Sequence, residues 1–147
     1  MVSARLTSSR FRRGGLALIA ALTAANLSAD EITGKDRFIC TAWRAISCST
    51  ADDCESTEAW RLNLPDFVKV DLTSRSIGTF AGANEERNSE IETVARRDGK
   101  VFLNGTQEDR GFTWVINDET GEGTLAIATD TTVISLFTVC AATDDIR

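Results

Sequence analysis

Two groups of acidic side chains are the residues of this sequence whose spacing could support chemistry. One group is Asp52, Asp53, Glu55 and Glu58, and the other is Asp118, Glu119 and Glu122. Paired carboxylates can hydrolyse a glycosidic bond, and carboxylate oxygens in a flexible loop can bind calcium. Neither group has the Asp-x-Asp-x-Asp-Gly spacing with a distal glutamate that a calcium loop requires. We therefore interpret both groups as solvated acidic loops.

Histidine is absent from the 147 residues, which removes the side chain that most often serves as a catalytic base near neutral pH. No imidazole can activate a serine or cysteine nucleophile, and none can bind a metal. The sequence also lacks the Gly-x-Ser-x-Gly elbow, the Walker loop and the dinucleotide fingerprint. We predict no catalytic residue, no cofactor and no metal site, which favours a non-enzymatic protein.

The first 29 residues have the features of a secretory signal peptide. Four arginines precede an apolar run over residues 16–25. They are Arg5, Arg10, Arg12 and Arg13. The run is shorter than the roughly 20 residues of a permanent membrane helix, so we expect no stable membrane span. Small residues predict cleavage after Ala25 or Ala29, which leaves residues 30–147 as one domain in the periplasm or secreted.

The predicted mature domain is strongly acidic. Removal of the four arginines of residues 1–29 leaves 12 basic and 22 acidic side chains, a net charge of −10 against −6 for the whole chain. Such a surface repels phosphate backbones, so we expect no nucleic acid partner. It attracts basic surfaces, and we predict a basic protein or a small ligand as the partner.

Four cysteines lie in this mature domain, an even number in a chain that we expect in an oxidising compartment. Two disulfides are predicted, and we favour Cys48 with Cys54 and Cys40 with Cys140. The second bridge would tie the first strand to the last, and closing such a long loop contributes roughly 4 kcal/mol. The pairing of Cys40 with Cys48 and of Cys54 with Cys140 remains the alternative.

Apolar residues of the mature domain alternate with a period of two, the pattern of half-buried strands. Strands are predicted at residues 37–44, 60–64, 68–72, 77–80, 91–97, 101–104, 112–117, 124–129 and 132–140. The last segment is in part apolar on both sides and is expected to be central. Asp98-Gly99 and Asn104-Gly105 predict tight turns. About eight short strands in these 118 residues indicate an all-β antiparallel meander, either a small barrel or a sandwich.

Three tryptophans, Trp43, Trp60 and Trp114, supply large apolar surfaces to this domain. We expect them in the core or at its edge. The alternative is that they line a ligand cavity, as in barrels that hold one small molecule.

Residues 38–54 (F-I-C-T-A-W-R-A-I-S-C-S-T-A-D-D-C) and residues 137–140 (F-T-V-C) carry a resemblance. The mature chain resembles small cysteine-containing exported proteins of unassigned function from Gram-negative bacteria. More distantly, it is similar to the periplasmic inhibitors of C-type lysozyme, compact barrels that join an early to a late cysteine. Residues 114–123 lack the serine and lysine of that inhibitory loop, so no inhibitory residue is carried over.

These features together predict a non-enzymatic binding or inhibitor-like module. A carboxylate-based hydrolase and a structural envelope protein are the alternatives.

Overall fold

The computed structural model describes residues 32–50, 52–80 and 86–143, which form an all-β domain. The strands are β1 (Arg37–Thr50), β2 (Asp53–Thr57), β3 (Val68–Asp71), β4 (Ser76–Gly78), β5 (Asn88–Glu90), β6 (Thr93–Arg97), β7 (Lys100–Gln107), β8 (Arg110–Asn117), β9 (Glu122–Ala128) and β10 (Val133–Ala142). One 3₁₀-helix spans Ala59–Leu62, and none of the described residues forms an α-helix. The predicted all-β antiparallel meander is confirmed, with ten strands instead of about eight.

The predicted signal peptide and its cleavage after Ala25 or Ala29 lie outside the described residues. Within the described ranges, no helix has the length and apolar character needed to cross a membrane.

All ten strands belong to one antiparallel sheet that curls into a half-barrel, and not to the two packed sheets of a sandwich. The strand order is β5-β4-β3-β1-β10-β9-β8-β7-β6, with β2 paired to the second half of β1. β10 lies between β1 and β9, the central position that its apolar residues predict. β1 pairs with β10 over nearly its whole length, and a bulge at Trp43 shifts its register.

The two ends of this strand order approach each other because only Ile91 and Glu92 separate β5 from β6. The Ile91 amide donates a hydrogen bond to the Arg75 carbonyl (2.9 Å), and the Glu92 amide donates one to the Asn104 carbonyl (2.9 Å). The chain therefore passes from one end of the sheet to the other. Gly105 permits this approach, since a Cβ there would collide with the Glu90 carbonyl oxygen.

Large, fully buried side chains fill one end of the half-barrel, which we call the packed end. They are Ile32, Phe38, Val70, Ile91, Val101 and Ile116. Ile32 closes this end from outside the sheet, where its amide donates a hydrogen bond to the Asp118 carbonyl (2.8 Å). Burial of apolar area of this kind is the main source of stability in a small β domain.

The two disulfides follow the pairing that we favoured, Cys40 with Cys140 and Cys48 with Cys54. In each case the two cysteines lie directly opposite each other on neighbouring antiparallel strands. Cys40 and Cys140 face the interior and are buried, whereas Cys54 is exposed. Strand register thus explains why the alternative pairing does not occur.

Two of the predicted local elements are wrong. The alternating segment 60–64 is not a strand, since the 3₁₀-helix ends there at Asn63 in the left-handed conformation (φ 53°). Asn104-Gly105 is not a turn, since β7 continues to Gln107 and the chain reverses at Glu108 (φ 56°). Asp98-Gly99 does form the predicted turn, because both residues have positive φ and pair Arg97 with Lys100.

The tryptophans divide between core and surface. Trp114 is buried, as predicted, but Trp43 and Trp60 are 60% and 62% exposed. Trp43 is the extra residue of the bulge in β1, and its ring lies 5.8 Å from that of Phe137 on the outer face. Strict alternation from the buried Phe38 and Cys40 already places Trp43 on the outer face, and the bulge instead shifts the residues after it, so that Ala45 is buried opposite Leu136.

Candidate functional site

The two acidic groups lie at opposite ends of the sheet. Asp52, Asp53 and Glu55 are exposed at the β1–β2 turn, beside the start of β10 at Val133. The β8–β9 turn lies beside the far end of β10, where the Cys140 amide donates a hydrogen bond to the Gly121 carbonyl (2.9 Å). Seven residues of strand separate these points, which is about 23 Å at the usual rise. The groups therefore cannot form one carboxylate pair.

The hydrogen bonds at both turns stabilise the fold. Asp53 accepts a hydrogen bond from the Ser49 hydroxyl (2.7 Å). In the second group, the Asp118 carbonyl accepts from Ile32, and the Glu119 amide donates to the Asn117 side chain (2.9 Å). Glu122 begins β9 and is exposed. Across the described ranges, no group of three or more His, Cys, Asp or Glu side chains could hold a metal ion.

Asp71 is the acidic side chain with a distinctive environment, and this environment is structural. Partial burial raises the pKa of its carboxyl group, but hydrogen bonds from the Ser74 and Thr73 amides and the charge of Arg37 outweigh this effect. The pKa of Asp71 therefore lies below its ordinary value. A general acid requires the opposite shift. Asp71 closes the turn between β3 and β4 and is not suited to act as a general acid.

A cavity of about 120 Å³ occupies the other end of the half-barrel, which we call the cavity end. Its apolar wall includes Leu64, Phe112, Leu125, Ile127 and Leu136. It exists because small side chains, Ala42, Gly78 and Ser89, stand where the packed end has isoleucine, valine and phenylalanine. An engineered cavity of about 150 Å³ lined by similar side chains holds a benzene molecule.

The floor of the cavity is rigid and has its polar atoms satisfied. It is formed by Trp114, Thr138 and Cys40, and Cys40 is joined to the buried Cys140 by a disulfide. The Trp114 Nε1–H donates a hydrogen bond to Thr138 Oγ1 (3.0 Å), and both residues are buried. Gly123 leaves room for this pair, since a Cβ there would lie 3.0 Å from Thr138 Oγ1 and 3.1 Å from Trp114 Nε1.

One side of the cavity is covered by the segment that follows the 3₁₀-helix. Leu64 and Pro65 of this segment line the cavity. Arg87 Nη1 donates a hydrogen bond to the Asn63 carbonyl (2.9 Å), and the Arg87 amide donates one to Thr79 Oγ1 (3.0 Å). Arg87 thus joins the start of β5 to the covering segment and fixes its position over the cavity.

The charge at the cavity is positive, in contrast to the acidic chain. Among the described residues that line it, Arg87 and Arg110 are the only charged ones, and none is acidic. Arg110 lies 3.7 Å from the Glu108 carboxylate (Nη2 to Oε2), and the Glu108 side chain is 76% exposed. Gln107, opposite Arg110 in the register, lines the cavity as well.

Sequence reasoning did not identify Arg87, Arg110 or Leu64 as members of a site. Arg110 follows the acidic dipeptide at 108–109, which is typical of a surface charge, and Leu64 falls in an alternating segment that predicts a strand. The sequence feature that does point to this site is the alternation of Phe112 and Trp114, which predicts that both side chains lie on the same, inward face of a strand.

Comparison with protein-family models, with curated protein sequences and with solved structures found no match for this chain. The chemistry of the cavity is therefore the basis for a proposed function.

Proposed function

We propose that the protein is an exported, non-enzymatic binding module that holds a small ligand in the cavity of its half-barrel. The observation that carries this proposal is the cavity itself, about 120 Å³ of space behind an apolar wall. Ligand sites are typically concave, largely apolar and preformed, with a few polar groups at defined positions. This cavity is concave and largely apolar, and two arginines are among its lining residues.

The residues that surround the cavity favour binding over catalysis. Its described lining contains no aspartate and no glutamate, and the sequence contains no histidine. A carboxylate-based hydrolase needs two carboxyl groups within about 10 Å of each other across a substrate. The two acidic groups that the sequence singles out instead lie at opposite ends of the sheet. The lining side chains can hold and orient a molecule.

Export to the periplasm is part of the same proposal. Two disulfides are formed between the four cysteines, and such bonds persist in oxidising compartments. The arginines and apolar run of residues 1–25 supply an export signal by sequence. The Cys40–Cys140 bond at the floor would keep the cavity preformed in that compartment.

Titration of the oxidised protein with 2-phenylethanol and phenylacetate, followed by ¹H–¹⁵N NMR, tests the proposal. We expect the indole N–H signal of Trp114 to shift with at least one compound, because the ring forms the floor. The signals of Trp43 and Trp60 serve as internal controls, since both side chains lie on the surface. Shifts confined to the surface tryptophans, or no saturable shift with either compound, would refute the proposal.

A matched pair of substitutions tests whether the compounds bind inside the cavity. Ala42→Leu adds three carbon atoms inside the cavity, and we expect it to weaken binding by about tenfold or more. Ala126→Leu makes the same change on the outer face of β9 and should leave binding unchanged. Equal affinities in the two variants would show that the compounds bind elsewhere.

A further inference from the structure

The polar groups of the cavity are distributed unequally between its floor and its mouth. At the floor, the buried Trp114 Nε1–H donates to Thr138 Oγ1, and no buried side-chain nitrogen or oxygen of the described residues lacks a partner. Beside the Thr138 hydroxyl, the floor offers a polar ligand group no strong partner to replace the water that the group would lose. The inner part of the ligand must therefore be apolar.

The size of the cavity limits this apolar part. About 120 Å³ is slightly less than the roughly 150 Å³ that accommodates benzene in an engineered cavity. A phenyl ring or a chain of about six carbon atoms is therefore close to the upper limit for the buried body. A long acyl chain or a multi-ring compound would extend beyond the buried space.

The polar part of the ligand must face the two arginines. Arg87 is engaged by the Asn63 carbonyl and holds the covering segment, so its role at the cavity is to position Leu64 and to contribute positive charge. Arg110 is held more weakly. Its contact with Glu108, at 3.7 Å, is too long for a hydrogen bond and involves an exposed carboxylate.

Arg110 can exchange this surface contact for a ligand at little cost. A guanidinium binds a carboxylate through two parallel N–H···O bonds, which are stronger than bonds between neutral groups. A carboxylate that replaces Glu108 would lie beside an apolar wall, where water screens the interaction less than at an open surface.

We infer that the cavity binds a small organic monoanion, with an apolar body no larger than a phenyl ring or a six-carbon chain in the interior and its carboxylate on Arg110. This inference rests on the proposed function, and it adds the chemical class of the ligand and the residue that selects it. A neutral compound of the same shape would fill the interior of the cavity but would form no ion pair with Arg110.

Three compounds with the same phenyl ring but different charges test the inference: phenylacetate, 2-phenylethanol and 2-phenylethylammonium. With the full oxidised chain at pH 7 and low salt, we expect phenylacetate to bind at least about tenfold more tightly than the alcohol. The ammonium compound should bind more weakly than either. The preference for phenylacetate should decrease as the salt concentration rises.

Substitution of Arg110 assigns the preference to this residue. Arg110→Gln should lower the affinity for phenylacetate at least about tenfold, to about that for 2-phenylethanol, because the bonds to the carboxylate are lost. An unchanged pattern of backbone amide signals in the ¹H–¹⁵N spectrum shows that the variant is folded. Arg97→Gln, which removes an exposed arginine that contacts Phe102 on β7, should retain the full preference.

A second variant works in the opposite direction. Glu108→Gln removes the carboxylate that competes for Arg110, so it should raise the affinity for phenylacetate about twofold to threefold and leave that for the alcohol unchanged.

The outcomes separate the two proposals. If the alcohol binds in the cavity as tightly as phenylacetate, the monoanion inference is wrong and the binding function stands. If none of the compounds shifts the Trp114 signal, both fail. If the preference for phenylacetate persists in Arg110→Gln, the anion is bound by another group and the assignment to Arg110 is overturned.

Discussion

The packed end and the cavity end of the half-barrel are built from the same strands, but only one of them is filled. On β8, Ile116 is fully buried at the packed end, whereas Phe112 lines the open space. On β1, Phe38 fills the interior and Ala42 leaves it empty. The difference lies in side-chain size and in what covers each end. A sheet of one architecture can thus use one end for stability and reserve the other for a ligand.

The covers of the two ends also differ. Ile32 closes the packed end, fully buried and hydrogen bonded to the β8–β9 turn. Leu64 and Pro65 cover the cavity end as part of a segment that the Arg87 side chain holds at the Asn63 carbonyl. An apolar plug excludes both water and ligands, whereas a segment at the rim leaves an opening beside it. The cavity end is therefore accessible to a ligand, whereas the packed end is closed.

The largest expected effect concerns the disulfide between the two ends. Replacing both Cys40 and Cys140 by alanine should lower the free energy of unfolding by about 4 kcal/mol, because the bond closes a loop of 100 residues. Replacing Cys48 and Cys54 should cost only about 2 kcal/mol, since that loop spans 6 residues. Urea unfolding of both double variants measures the difference. Equal losses of unfolding free energy would show that the Cys40–Cys140 bond stabilises the fold no more than the Cys48–Cys54 bond does.

A matched pair of isoleucines compares the two ends directly. Ile116→Ala should cost about 3 kcal/mol, because it leaves a void in a fully packed region. Ile127→Ala should cost only about 1 kcal/mol, because this side chain already borders open space. Urea unfolding checks both values. If Ile127→Ala were as costly as Ile116→Ala, the cavity end would have to be packed in solution.

A further expected effect concerns the floor of the cavity. Gly123→Ala should cost about 1 to 2 kcal/mol, since the new Cβ would lie 2.8 Å from the Val115 carbonyl oxygen and press on the Trp114–Thr138 pair. The indole N–H signal of Trp114 should move in the NMR spectrum as its hydrogen bond is distorted.

Gly111→Ala is the control, because nothing lies within 4 Å of a Cβ at that position. We expect no loss of stability and no shift of the Trp114 signal in this variant. A similar shift in both variants would contradict the close contact at Gly123.

Much of this architecture could be predicted from short-range patterns. The alternation around Trp114, the apolar character of β10 and the Asp98-Gly99 turn are local signals, and the structure confirms all three. The favoured disulfide pairing also follows from the expectation that the first and last strands are neighbours. The signals failed where packing overrides propensity. Asn104-Gly105 has the composition of a turn, but Gly105 is needed inside β7 where β5 approaches.

The sequence by itself determined the all-β class, the two disulfides and the absence of imidazole chemistry, because these depend on composition and on contacts between near neighbours or paired strands. Only the tertiary structure decided that Arg87, Arg110 and Leu64 meet at one cavity, since they come from three distant segments of the chain. It also decided that Trp114 is part of the floor while Trp43 is outside. Curvature of the sheet, together with the bulge in β1, sets which small side chains face each other. The cavity therefore results from how these side chains are arranged around one another and not from any single residue.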